Sequence, residues 1–138
     1  AVHLPDHYPQ ASVAFTGTHD SDTTLGWYRS LKDRWREGNG HAGEQLQRLH
    51  GWTGTEDEAQ LVSECMRKLS MSSADTVVFP MQDVLNLDGT HRMNQPGTIR
   101  GNWTWRIKAR VLDTTISGPL RTMAESSARV PAASTEAG

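Results

Sequence analysis

At 138 residues the chain has the length of one ordinary domain, enough to bury roughly two thirds of the surface it exposes when unfolded. Fourteen Lys and Arg against sixteen Asp and Glu give a formal charge of -2, which excludes the basic footprint that grips phosphate backbones, so nucleic acid is not an expected partner. The single Cys65 excludes an internal disulfide and a thiolate zinc cluster, and with it the expectation is a reducing, cytoplasmic location.

No apolar run reaches the roughly 18 residues needed to cross a bilayer, and AVHLPDHYPQ has neither the charged nor the apolar region of a signal segment, so no membrane partner is expected. After this unpatterned, Pro- and His-containing start, Ser12-Val13-Ala14-Phe15 reads as a short buried strand ending at Thr16-Gly17-Thr18. His19-Asp20-Ser21-Asp22 follows. A helix then begins, capped by Asp22 or Thr23, with Leu25, Tyr28, Leu31 and Trp35 on one face and Gly38-Asn39-Gly40 at its end.

Gly43 to His50 predicts a shorter helix that Gly51-Trp52-Thr53-Gly54 breaks. Thr55 and Glu58 match a capping box, in which each side chain covers a free N–H at a helix start. Val62, Cys65, Met66 and Leu69 then recur at helical spacing, which makes Cys65 a packed thiol rather than a nucleophile. Thr76-Val77-Val78-Phe79-Pro80-Met81 is β-branched and aromatic and predicts a buried parallel strand, with Gln82-Asp83 just beyond it. Two strands separated by helices, each followed by polar residues, form a repeating β-α unit of an α/β fold, and in a barrel of such units the active site gathers at the carboxyl ends of the strands. His19-Asp20 and Gln82-Asp83 both stand there.

Leu85 to Asn102, rich in Gly, Asn, Asp and Pro, predicts a long ordered loop, and Trp103 to Leu112 is a strand or helix of mixed polarity. Gly118-Pro119 places Pro at the first position of a final short helix through Leu120 and Met123. From Ser126 the Ala, Ser, Pro and Glu composition predicts a flexible tail.

Asp20 lies between a buried strand and a helix start, where a carboxylate is fixed by its neighbours yet faces a ligand. Glycosyl transfer passes through an oxocarbenium-like transition state, to which a carboxylate beside the ring and an imidazole on a sugar hydroxyl are both suited. Five Trp among nine aromatics suit stacking on sugars, although filling a core is the commoner use of Trp. The local sequence alone reads as well the other way, with Asp20 and Asp22 capping the helix and His19 a surface polar residue. A metal is not expected: His19 with Asp20, or His3 with Asp6 and His7, lacks the three or four convergent ligands and the spacings that metal sites use. The G-x-S-x-G pattern of a nucleophile elbow is also absent.

Thr16-Gly17-Thr18-His19-Asp20-Ser21-Asp22-Thr23-Thr24-Leu25-Gly26-Trp27 resembles the GTHDNDT-x-x-GW motif of the amylomaltases, glycoside hydrolase family 77, with Ser21 where Asn is usual. Pro80-Met81-Gln82-Asp83-Val84-Leu85, Arg92-Met93-Asn94-Gln95-Pro96-Gly97 and Gly101-Asn102-Trp103-Thr104-Trp105-Arg106 are similar to the family's P-x-QD-x-L, RMN-x-PG and GNW-x-WR segments. The resemblance runs from about Val13 to Arg106, and more loosely to Arg121.

It implies the C-terminal portion of a (β/α)8 TIM barrel, its last two β/α units, with residues 1–125 in the catalytic barrel and 126–138 as a tail. It implies a 4-alpha-glucanotransferase that passes an alpha-1,4-glucan segment to the 4-hydroxyl of a glucose or maltooligosaccharide acceptor by retaining double displacement, without cofactor or metal. By the same analogy Asp20 is the transition-state stabiliser, His19 and Asn94 contact the sugar, Gln82 and Asp83 support the site, and Trp103 and Trp105 are expected to pack rather than to serve as sugar platforms. The nucleophile and acid/base belong to the remainder of the barrel upstream. The competing reading is a non-catalytic glucan-binding or interaction module, against which stand the bare strand edges that a quarter of a barrel exposes.

Overall fold

The computed structural model describes residues 5–130, with side chains, as a helix-rich α/β unit. Two short strands, β1 (Val13–Phe15) and β2 (Thr76–Val78), pair in parallel, with Val13 opposite Thr76, Ala14 opposite Val77 and Phe15 opposite Val78. Parallel neighbours need a long crossover. Here it is three helices, α1 (Thr24–Arg36), α2 (Gly40–Thr53) and α3 (Glu58–Ser70).

Each helix starts where a short polar side chain can cover a free N–H. Thr23 accepts from the Gly26 N–H at 3.0 Å, Asn39 from Ala42 at 3.1 Å and Asp57 from Ala59 at 3.0 Å. The cap of α3 is thus Asp57, not Thr55, whose hydroxyl accepts from the Asp57 N–H instead. Glu58, the first residue of α3, turns its carboxylate to Arg29 and Lys32 of α1, each at 3.0 Å, which hold it below the usual Glu range, Lys32 first. α2 runs further than the sequence suggests. Gly51 and Trp52 remain helical, and the stop comes at Gly54, whose φ of +76° is a conformation glycine adopts without a side-chain clash.

The core gathers Leu25, Tyr28 and Leu31 of α1, Ala42, Leu46 and Leu49 of α2, and Leu61, Val62, Cys65 and Met66 of α3. The predicted faces of α1 and α3 are buried, apart from Trp35, which is exposed. Burial pushes the Cys65 thiol up to about 12, with Asp83 and Glu64 adding to it, which leaves it protonated and unreactive at neutral pH. Tyr28 is fully buried, its hydroxyl bridging His50 and the Glu56 carbonyl at 3.0 Å each.

The strands are buried on one side only. Ala14 packs with Leu69, Ala74 and Val77 against the helices, whereas Val13, Phe15 and Val78 are half exposed on the other face, contrary to the fully buried strands expected. β2 also ends sooner than predicted, because Pro80 caps a one-turn helix, α4 (Met81–Val84), which takes in Met81.

After α4 the chain has little regular structure apart from 3-10 turns at Gly89–His91 and Ala109–Val111, so Trp103 to Leu112 is neither strand nor α-helix. The final helix, α5 (Thr114–Ser126), is capped by Asp113 and holds Pro119 in its interior rather than at its first position. α5 lays Leu120 and Met123 on the main core. Beyond it the Arg129 guanidinium donates to the carbonyls of Ser70, Ser72 and Ala74 at 2.6–2.8 Å, closing the turn between α3 and β2. His3 and the last eight residues of the expected tail lie outside the described residues. No helix among the described residues is long and apolar enough to cross a membrane.

Candidate functional site

Because β1 and β2 are parallel, the loops leaving their carboxyl ends share one edge of the unit. The first loop, 16–23, carries His19 and Asp20, and the second enters α4 with Gln82 and Asp83. Asp83 joins them. Its buried carboxylate accepts from the Thr16 hydroxyl at 2.5 Å, the Thr24 N–H at 2.8 Å and the Thr24 hydroxyl at 2.7 Å, gripping the first loop at both ends. Gln82, also buried, donates to the His91 carbonyl at 3.2 Å and so ties α4 to the 3-10 turn ahead of Arg92.

Within the first loop, the Ser21 N–H donates to the Thr18 carbonyl at 3.1 Å and the Ser21 hydroxyl accepts from the Thr18 N–H at 3.2 Å. The Ser at this departure from the motif is therefore used inside the turn. Asp22 is wedged between two glycines: a β-carbon on Gly26 falls 2.5 Å from its Oδ1, and one on Gly89 falls 2.7 Å from it. The β-carbon on Gly26 also falls 2.8 Å from the Gly89 backbone nitrogen, so a side chain there forces the backbone apart, whereas one on Gly89 meets only the Asp22 side chain.

Asp20 is where two separate parts of the chain converge. The Asn94 amide donates to Oδ1 at 2.6 Å, His19 Nε2 stands 3.2 Å from Oδ2, and Arg92 donates to the Asp20 backbone carbonyl at 3.0 Å. Both His19 and Asp20 side chains remain more than half exposed, so the carboxylate is fixed by its neighbours while one side faces outward. The arrangement suits a negative charge that meets developing positive charge on a ligand. The predicted residues thus fall into two sets: His19, Asp20 and Asn94 meet at the surface, and Gln82 and Asp83 lie beneath them.

Arg92, which stands in a motif segment but is not singled out by sequence reasoning, and Trp103, expected to pack, complete the group. Trp103 is 55% exposed, with its ring centroid 5.1 Å from that of His19 and the planes tilted by 41°. A cavity of about 80 Å3 lies behind the surface set, lined among others by His19, Asp22, Gln82, Asp83 and Arg92. A larger cavity of about 670 Å3 shares Ser21 and Asp22 with it and is bounded otherwise by residues that include Phe15, Trp27, Leu49 and Trp52. Its apolar walls bring no carboxylate and imidazole together, so size does not make it the chemical site. Among the described residues no group of three or more His, Cys, Asp or Glu is disposed to hold a metal.

The family model for 4-alpha-glucanotransferase matches residues 1–113. A 4-alpha-glucanotransferase of Thermus thermophilus is 40% identical over 131 residues, covering 92% of this chain and 25% of that protein. One from Synechocystis is 34% identical over 123 residues, covering 88% of this chain and 22% of that protein. Among solved structures, the amylomaltase from Streptococcus agalactiae in complex with acarbose superposes with a TM-score of 0.79 at 25% identity, over 94% of this chain and 24% of the other. The chain therefore spans about a quarter of the length of the relatives it matches.

Proposed function

The chain belongs to the 4-alpha-glucanotransferase family, glycoside hydrolase family 77, and from that premise we propose that it is the part of such an enzyme that carries the stabilising carboxylate. The reaction passes a segment of alpha-1,4-glucan from a maltodextrin donor to the 4-hydroxyl of a glucose or maltooligosaccharide acceptor. Retention of configuration calls for a carboxylate nucleophile and a separate acid/base. Both are assigned to the remainder of the barrel, to which residues 1–125 add the last two β/α units and 126–138 a trailing segment. Cytoplasm is the proposed location.

One observation carries this reading: Asp20, from the first loop, receives the Asn94 amide from 74 residues away and faces the neighbouring imidazole of His19, so that two separate motifs meet on one carboxylate. In the proposed role Asp20 stabilises the oxocarbenium-like transition state through space. His19 and Asn94 hold the carboxylate and contact sugar hydroxyls, and Gln82 and Asp83 keep both loops in register from below. Transfer then wins over hydrolysis when the acceptor hydroxyl occupies the space water would otherwise take. The amylomaltase neighbour is in complex with acarbose, which supports a glucan-like ligand for the proposed enzyme.

The test is disproportionation of maltotriose by the full-length protein, wild type beside Asp20→Asn. The expected result is release of glucose and longer maltodextrins by the wild type and a loss of roughly 10²–10³-fold in the variant, the scale of removing a preorganised electrostatic stabiliser. Near-normal activity in the variant rules out the role given to Asp20. An inactive wild type rules out the transferase.

A further inference from the structure

His19 has one polar neighbour to hold its ring, the Asp20 carboxylate 3.2 Å from Nε2, and its side chain is 56% exposed. Among the described residues no hydrogen bond engages Nδ1. A single contact to one ring nitrogen leaves an imidazole free to turn about the bond that joins it to the chain. A group meant to meet a sugar hydroxyl needs a fixed direction, because binding energy is lost when a polar contact must be ordered on arrival. Something else has to limit that rotation. The neighbour that lies against the ring is Trp103.

The way Trp103 reaches His19 is unusual. Its φ of +63° lies in the left-handed region, which a bulky residue seldom adopts, and its own N–H donates to the Met93 carbonyl at 2.7 Å, closing a loop from Met93 to Trp103. Asn102 ties that loop internally, accepting from the Gln95 N–H at 2.9 Å and donating to the Thr98 carbonyl at 3.0 Å. Both ends of the loop touch the pair in the first loop. Asn94, at its start, binds Asp20, and Trp103, at its close, packs on His19.

We propose that Trp103 is a positioning residue that fixes the His19 imidazole, so that the Met93–Trp103 loop sets both halves of the His19–Asp20 pair in one closure. This rests on the functional reading above. The strained backbone at Trp103 is what brings the indole back over the first loop, and a residue in ordinary extended or helical conformation there sends its side chain elsewhere. The tilted ring contact restricts the imidazole without taking either of its nitrogens, which leaves Nδ1 available to a ligand.

The experiment is a double-mutant cycle in the full-length protein, reading kcat and KM for maltotriose disproportionation together with thermal unfolding. Trp103→Gly removes the ring and leaves a residue that adopts the left-handed backbone freely, so the loop is retained and Tm stays near that of the wild type. Its kcat/KM is expected to fall on the order of tenfold to a hundredfold, the effect of a misplaced contact. Trp103→Phe keeps a flat ring against His19 and restores most of the loss. In a His19→Ala background the same Trp103→Gly change costs less than about threefold, because the group it acts through is already gone.

Equal losses with and without His19 overturn the inference, as does a Phe variant no better than Gly or a His19→Ala enzyme of undiminished activity. In each of those cases an active wild type leaves the transferase reading standing. A wild type that transfers no glucan removes both.

Discussion

Asp83 sits 67 residues from Thr16 and 59 from Thr24 in sequence, yet its carboxylate takes hydrogen bonds from both. Replacing it with Ala leaves the buried Thr24 N–H and hydroxyl without an acceptor. Hydrogen bonds to a charged group contribute about 1.5–3 kcal/mol each, and an orphaned buried donor costs a similar amount, so about 3 kcal/mol of stability is expected to be lost. Urea unfolding of the full-length protein measures it. Asp83→Asn, which keeps one oxygen and places an amide toward a donor, falls between the wild type and Ala. The two kinds of site residue were not equally legible. His19, Asp20 and Asn94 stand in contiguous motifs whose resemblance is direct, and Gln82 and Asp83 were picked out by their place after a strand. Trp103 was not, because Trp in a polar segment reads alike whether it packs inside or lies over a neighbouring ring; only the positive φ and the contact to His19 separate the two.

At the scale of the element, capping and termination were legible only to within a turn. Thr23 was one of the two caps expected for α1, whereas at α3 Thr55, two residues before Asp57, offered an equally good hydroxyl, and the backbone gave the cap to Asp57. α2 outran its prediction because a glycine inside a helix costs only about 1 kcal/mol, less than the packing of Trp52 on the core and the burial of Thr53 return. α5 was misplaced for a different reason: Pro119 favours a first turn, but the Asp113 carboxylate accepts from the Thr115 N–H and hydroxyl and caps the helix ahead of Pro119. Two glycines in helices predict opposite outcomes on substitution. A β-carbon on Gly118 of α5 meets nothing within 4 Å, so Gly118→Ala is expected to stabilise by roughly 0.5–1 kcal/mol. A β-carbon on Gly26 of α1 falls 2.5 Å from the Asp22 carboxylate and 2.8 Å from the Gly89 nitrogen. There the clash outweighs the same gain in propensity, and Gly26→Ala is expected to cost about 1–3 kcal/mol. Thermal unfolding of the two variants side by side, with Tm rising in one and falling in the other, checks both.

For the whole molecule, the parallel pairing of the strands was legible from the repeated strand, polar loop and helix, and the one-sided burial of the sheet was not. Val13-Ala14-Phe15 and Thr76-Val77-Val78 have the run of apolar and β-branched residues that a parallel sheet buried on both faces shows. Here only Ala14 and Val77 face helices, and Val13, Phe15 and Val78 lie on a face that nothing among the described residues covers. If the proposed remainder of the barrel packs on that face, the same substitution has opposite effects in two contexts. In a polypeptide of these 138 residues alone, the open face and the unpaired outer edges of β1 and β2 favour self-association. Phe15→Thr with Val78→Thr is expected to reduce it, which sedimentation over a range of concentrations measures. In the full-length protein those two side chains are core, and burying each contributes about 1.5–3 kcal/mol, so the double substitution destabilises by several kcal/mol. A full-length protein that tolerates both changes has this face in water, and the barrel assignment then fails even where the family assignment holds.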